Sequence, residues 1–439
     1  MLGLLLLLIA IILYFQPKHR YISYFLYLSF MLGYSGGFGL WTDQILGIKN
    51  QDLAVIFTGL INIYLILNKK IYLPRLSWIK FYNLLVLFIA ACFLFSLIHY
   101  QFSFYQVFQG GRNYLLIASL PILIQVRPYE LNRILQLLII IVSITSILYI
   151  LQIIIGRPIM PYNGNGTTDP STGLIRLYNS PYNVSFFLTL TFILPNYFKG
   201  PIALYRLIFF CALLCTLGRT GIFSGIMMVL LALLLNGKFS SLAKYSILIA
   251  IMLIPFIGTL SKRFEKGGTQ NDIQQIMKGQ FDENYQSASD ATLTYRFAWI
   301  YERAEYLSRR PLGEQIFGLG LISDSQKKVH QMYHFKIGLF DKNINQITQL
   351  SSPDTSYGNL IVNLGFAGTI IYMIFAISLT VFFVKNRNIH PLFIACSSYS
   401  IILFIISFSG NSLSQTKTFS FLFIFIPIYL YHKRKSIKQ

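Results

Sequence analysis

An all-α integral membrane protein is the fold class this sequence predicts, and three observations predict it. Hydrophobic residues make up 55% of the chain and charged ones only 12%, a balance outside the range of soluble globular domains. The apolar residues fall in long runs, many near the roughly 20 that a helix needs to cross a bilayer. No run alternates apolar and polar positions as a membrane barrel strand must. In hydrocarbon every backbone amide needs an internal partner, so these runs are helices.

In chain order the runs are 2–16, 21–41, 53–67, 79–98, 114–126, 134–156, 180–198, 201–218, 219–236, 242–260, 358–383, 389–409 and 416–431. The first and fifth are short, so about 12–13 transmembrane helices are expected. No internal repeat marks the chain, and 1–439 reads as a single polytopic membrane domain.

Two elaborations interrupt the pattern. The smaller, Gly156 to Tyr182, is rich in turn formers: Pro158, Pro161, Asn163-Gly164, Asn165-Gly166, Asp169-Pro170 and Ser180-Pro181. The larger runs from Ser261 to Ser356 and is read as one large extracytoplasmic loop, 261–357. It holds eleven of the fifteen acidic residues and twelve of the thirty-six basic ones, so the chemistry is expected there. Within it Leu293, Phe297, Ile300, Ala304 and Leu307 recur at helical spacing. They predict an amphipathic helix lying on the bundle, ended by Pro311, Gly313, Gly318 and Gly320. Arg296 and Arg303, seven apart, fall within about 20° of each other on it. Arg303 is expected to be solvated.

The net charge of +21 does not point to nucleic acid, because its distribution is that of a membrane protein. Eighteen Lys and Arg occupy alternate short connections, from Lys18 and Arg20 through Lys69, Lys70, Arg75 and Lys80 to Lys433, Arg434, Lys435 and Lys438, with Glu130 the only acid among them. The opposite connections carry about six basic residues. The positive-inside bias places the C-terminus in the cytoplasm and the large loop outside it. Nothing basic precedes the first run, so no cleaved signal peptide is expected. Cys92, Cys211, Cys215 and Cys396 all lie in apolar runs, so the loop has no disulfide framework. Cys211 and Cys215 share a helix face without a His or second Cys pair, and no zinc site is expected.

Two residues at span ends stand out chemically. Arg219, in Cys-Thr-Leu-Gly-Arg-Thr-Gly, lies at the predicted outer end of 219–236. Its sign opposes the inside rule, and a guanidinium fork suits phosphate oxygens. Asp354, in Pro-Asp-Thr-Ser-Tyr, is the last acid before the next span. It is either a general base for a sugar hydroxyl or part of a helix cap with Thr355 and Ser356.

The order of these pieces resembles bacterial O-antigen polymerases and the related O-antigen ligases, over about 174–370. Four blocks carry the resemblance: Leu174-Ile-Arg-Leu-Tyr-Asn-Ser-Pro-Tyr-Asn183; Leu217-Gly-Arg-Thr-Gly221; Tyr295-Arg-Phe-Ala-Trp-Ile-Tyr-Glu-Arg-Ala304 followed by Pro311 and Phe317-Gly-Leu-Gly320; and Asp354 to Gly368. Asp354 stands where the ligases typically carry histidine, with His330 and His334 too far upstream to replace it, a departure that fits the polymerases better. The resemblance implies a bacterial cytoplasmic (inner) membrane enzyme that transfers a growing glycan from undecaprenyl diphosphate to a new lipid-linked repeat unit. A ligase or a lipid-linked oligosaccharide flippase is the alternative. It further implies Arg219 and Arg296 at the diphosphate, with Arg176 and Arg303 as weaker substrate contacts. Trp299, Tyr301 and Tyr357 are candidates for stacking on sugars. No cofactor and no divalent metal are expected; a chain-length regulator protein is a possible partner, and nucleic acid is not.

The charge asymmetry makes a direct prediction. In a cysteine-free background, an impermeant thiol reagent should label a cysteine at Gln286 in intact cells (outer layer permeabilised if present) and spare one at Ser436. Labelling of Ser436 alone would invert the orientation.

Overall fold

The computed structural model describes residues 2–33, 49–160, 167–168, 175–177, 179–216, 218–253, 293–341 and 345–438. It is 73% helical with almost no strand, so the all-α expectation holds. The early helices are α1 (Leu2–Tyr14), α2 (Arg20–Leu32), α3 (Asn50–Leu67), α4 (Ile79–Ile98), α5 (Phe104–Leu115), α6 (Leu120–Leu123) and α7 (Pro128–Ile155). An antiparallel pair of two-residue strands, β1 (Thr167–Thr168) with β2 (Ile175–Arg176), precedes α8 (Val184–Ile193), α9 (Ile202–Cys215), α10 (Arg219–Leu235) and α11 (Phe239–Leu253). The loop contributes α12 (Leu293–Ser308), α13 (Leu312–Phe317), α14 (Lys327–Met332) and the hairpin β3 (Phe340–Asp341) with β4 (Gln346–Ile347). Then come α15 (Ser356–Lys385), α16 (Pro391–Ile406), α17 (Thr416–Leu422) and α18 (Ile426–Lys438).

Among the described residues, α3, α4, α7 and α15 are long and apolar enough to cross a membrane, and α1, α8, α9, α10 and α16 are shorter apolar helices. The ends of the predicted runs 21–41 and 242–260 lie outside the described residues, as do loop residues 261–292 and the turns Asn163-Gly164, Asn165-Gly166 and Asp169-Pro170.

One predicted span is corrected. The run 114–126 is the second half of a broken helix that starts at Phe104. Ser103 and Gln106 form a reciprocal capping box there, well before the apolar run begins. The helix tightens to a 3-10 turn over Leu116–Ser119 before α6. Pro121 has no N–H to donate, and its ring crowds the carbonyl four residues back.

The bundle packs around aromatic rings. Trp78 stacks on Phe423 at 6.3 Å and lies tilted to Phe375 at 6.4 Å, with Tyr82 against both. Charge also enters it, more than the sequence led us to expect. Arg20 grips Glu130 with both Nε and Nη2 at 3.0 and 3.1 Å, and Glu130 is fully buried. Asp52 at the start of α3 meets Arg112 of α5.

The loop rests on one end of the bundle, beside the C-terminal end of α4 and the N-terminal end of α15; we refer to this as the loop end. Two glycines make the junction. Gly365 interrupts α15 at φ 68°, ψ −176°, a conformation essentially restricted to glycine. Gly318, at φ 86°, faces it, and a Cβ on Gly318 would sit 2.5 Å from the Val362 carbonyl oxygen. That carbonyl accepts a hydrogen bond from Leu319 N at 2.8 Å. The Phe317-Gly-Leu-Gly320 and Gly365-Phe-Ala-Gly368 motifs are therefore two sides of one backbone contact. Either Gly318→Ala or Gly365→Ala should cost at least the roughly 1–3 kcal/mol of a strained backbone and lower the melting temperature in detergent. Gly59→Ala, in a helix with open space around it, should be neutral or slightly stabilising. Equal melting of all three would remove the junction's importance.

Candidate functional site

Helix α12 carries four of the candidate side chains, Arg296, Trp299, Tyr301 and Arg303, but its inward face differs from the predicted one. Tyr295, Ala298, Trp299, Arg303 and Leu307 are buried, whereas Phe297 is 38% exposed and Tyr301 55% exposed. Arg303, expected in solvent, is wholly buried. Its burial is tolerable because every face of the guanidinium is occupied. Nε and Nη2 each donate to the Gln349 carbonyl oxygen at 3.2 Å, and Nη1 meets Glu302 Oε2 at 2.6 Å. Trp299 and Phe335 lie against it at 4.2 and 4.4 Å. Burial lowers its pKa to about 10, with Glu302, Tyr295 and Asp324 opposing the shift, so it stays cationic at neutral pH. Trp299 is equally buried, pressed where a Cβ on Gly358 would clash. Arg303 and Trp299 are therefore struts, not open substrate contacts.

A second buried charge organises the return of the loop. Asp324 accepts from Gln349 N, Leu350 N and Ser351 N at 2.8–2.9 Å, and from the Ser351 hydroxyl. The segment then passes to Ser352, which exchanges two hydrogen bonds with Asn359 at 2.8 and 2.7 Å. His330 Nε2 bonds the Asp324 carbonyl oxygen at 2.8 Å, while His334 is exposed.

The cap at α15 belongs to Thr355, whose Oγ1 accepts from Gly358 N. Asp354 lies just before it, half-buried, its N donating to Ser352 Oγ at 3.2 Å. Asp354 lies close enough to Tyr295 to act on its phenol. Burial pushes that phenol well above its usual range; Arg303 opposes the rise, Asp354 adds to it, and Ser352 and Arg296 again oppose it. Tyr295 thus stays a neutral hydroxyl that feels the charges of Arg303, Asp354 and Arg296.

The other predicted residues approach through a short connector, 407–415, between α16 and α17. Ser356 N donates to Ser407 O at 3.0 Å and Ser356 Oγ to Gly410 O at 2.7 Å. Phe297 stacks on Phe408 at 6.2 Å, and Tyr357 packs on Phe408 at 4.6 Å while its hydroxyl bonds Phe404 O. Thr220, next to Arg219, donates to Ser409 Oγ at 3.2 Å. Arg219 itself is the first residue of α10 and Arg176 the last of β2; their side chains lie outside the described residues. The Tyr149 hydroxyl bonds both Leu177 O at 2.9 Å and Cys215 O at 3.5 Å, tying the segment after Arg176 to the end of α9.

Sequence reading passed over Tyr295, Phe408, Arg112 and Lys417. Lys417 Nζ lies 4.6 Å over the Tyr182 ring at the start of the last apolar run. The signal for Arg112 and Lys417 was available, since both belong to the few basic residues of the sparsely charged connections. No protein-family model and no curated protein matches this chain.

The strut role is testable by limited proteolysis. Removing one partner of a buried charge pair typically costs about 3–5 kcal/mol, so Arg303→Ala should open the loop to trypsin and lower the melting temperature. Arg303→Lys should fall between, and Tyr301→Ala should change neither. Wild-type resistance in Arg303→Ala would refute the strut.

Proposed function

We propose that this chain polymerises a bacterial surface polysaccharide, O-antigen or capsule-like, on the outer face of the cytoplasmic membrane. The growing glycan passes from its undecaprenyl diphosphate carrier to a new lipid-linked repeat unit. One observation carries the reading: the elements bearing Arg219, Arg296 and Asp354 converge on the 407–415 connector at the end of the bundle that holds the polar loop.

The chemistry asks for little more. The acceptor hydroxyl oxygen attacks the anomeric carbon as its bond to the diphosphate breaks. The hydroxyl proton goes to the Asp354 carboxylate, and the departing diphosphate takes the bonding electron pair. Fixed arginines at the leaving group stabilise the charge that develops there. Thr355 performs the capping, and Asp354 is assigned to proton transfer. Arg219 and Arg296 are assigned to the diphosphate, with Arg176 beside them. Phe297, Phe408 and Tyr357 present aromatic surface to the sugars in place of the buried Trp299, and Tyr301 extends that surface. A chain-length regulator acting on this polymerase is a natural partner, and no metal or cofactor enters the scheme.

Purified protein in vesicles supplied with carrier-linked repeat units provides the test. Asp354→Asn should remain folded but lose roughly 10²–10⁴ in rate, as loss of a general base does. Arg219→Ala and Arg296→Ala should abolish polymer at matched protein level, with Lys rescuing only partly for want of a fork. Near-normal turnover by Asp354→Asn would move the base elsewhere, and normal polymer from both alanine variants would end the diphosphate assignment.

A further inference from the structure

Among the described residues, two arginine–carboxylate pairs lie inside the bundle, and they are built differently. Arg20 spends Nε and Nη2 on the two oxygens of Glu130 and shares Nη2 with the Gln125 carbonyl. That is the fork-to-fork geometry of a pair that holds helices together. Arg112 offers Asp52 only Nη1, at 3.1 and 3.2 Å from its two oxygens. Its Nε and Nη2 have no partner among the described residues, although the side chain is only 14% exposed. Asp52 also accepts from Lys49 N at 2.8 Å, so the carboxylate is held from behind while one edge of the guanidinium stays open.

The position of Arg112 is fixed closely. A Cβ on Gly110 would clash with the Ile322 backbone and one on Gly111 with the Phe93 ring. Helix α5 is therefore wedged between the loop and α4 with no freedom to slide. The next residue, Asn113, donates to Ser414 O at 3.1 Å, its carbonyl accepts from Thr416 Oγ1, and its own Oδ1 is buried without a partner among the described residues. Arg112 thus stands at the far end of the 407–415 connector from Thr220 and Ser409. Ser414 lies five positions beyond Ser409, at most about 18 Å of chain. The helix that carries it breaks three residues later, and ionisable groups beside broken helices in a membrane bundle are commonly ligand sites.

We propose that Arg112 is a second phosphate-binding residue, and that it holds the diphosphate of the acceptor's lipid carrier. This rests on the polymerase reading, in which two carrier-linked molecules meet but only the donor loses its diphosphate. The acceptor's diphosphate must be held in place without being activated. One guanidinium partly offset by Asp52 suits holding a diphosphate that must stay in place. Asp52 is then a positioning residue that presents the open edge.

The experiment uses the full chain in phosphatidylcholine vesicles with a labelled donor unit blocked at its own acceptor hydroxyl. Two acceptors are compared: the carrier-linked repeat unit, and the same oligosaccharide stripped of its lipid diphosphate. Arg112→Gln should raise KM for the carrier-linked acceptor about tenfold or more, the size expected for a lost charge-assisted hydrogen bond. It should leave kcat, and KM for the stripped acceptor, unchanged. The double variant Asp52→Asn with Arg112→Gln, which leaves no unpaired carboxylate, should behave alike, and Arg112→Lys should be intermediate. Equal changes for both acceptors, or none for either, would overturn the assignment. So would stabilisation of the wild type by added phosphatidylglycerol that the variants lose while their KM stays normal, since the ligand would then be a bilayer headgroup. If the wild type makes no product from either acceptor, the polymerase reading fails instead. Titration with undecaprenyl diphosphate alone still decides the site: greater thermal stabilisation of wild type than of the double variant supports it, and equal stabilisation refutes it.

Discussion

A polar loop laid on a hydrophobic bundle must be held in shape, and here buried charge does the holding. The four cysteines are free, and none lies in the loop. Arg303 joins α12 to the Gln349 carbonyl and, through Glu302, to the amides of Lys336 and Ile337. Asp324 collects three successive amides from the other side of the same segment. A buried ion is costly unless nearly all its hydrogen-bonding capacity is met. That cost is also what makes the arrangement specific, since few other conformations of the loop would satisfy both charges. Asp354 and Tyr295 inherit their relative placement from this scaffold.

The connector at 407–415 plays the complementary part. It is short, yet it touches α10 through Thr220, α12 through Phe297, α15 through Ser356 and α5 through Asn113. At α10, α15 and α5 the meeting satisfies polar groups near a helix end with the connector's carbonyls and hydroxyls, whereas α12 meets it through ring stacking. A small change in this segment would therefore be felt by several elements at once.

Much of the helical fold was legible because span length and apolar runs are direct consequences of solvating a chain in hydrocarbon. The broken helix was not, since its start is set by a Ser103–Gln106 capping box that hydrophobicity does not register. Arg303 was misread for a related reason. Its principal acceptor is a backbone carbonyl 46 residues away, and backbone acceptors leave no trace in side-chain patterns. Asp354 and Thr355 were both sensible caps by composition, and only the donor geometry at Gly358 separates them. The glycines of the two loop motifs were visible, but their mutual contact was not, because nothing in either run names its partner.

The kink at Gly365 bears on how the chain is made. The Val362 carbonyl, inside an otherwise apolar helix, is satisfied by Leu319 of the loop. Left unpaired in lipid, such a group would cost several kcal/mol. The loop precedes this helix in the chain, so its partner is already synthesised when the helix emerges. Settling of α15 into the bilayer is thereby coupled to docking of the loop, so the kinked span and the segment around Leu319 reach their final places together.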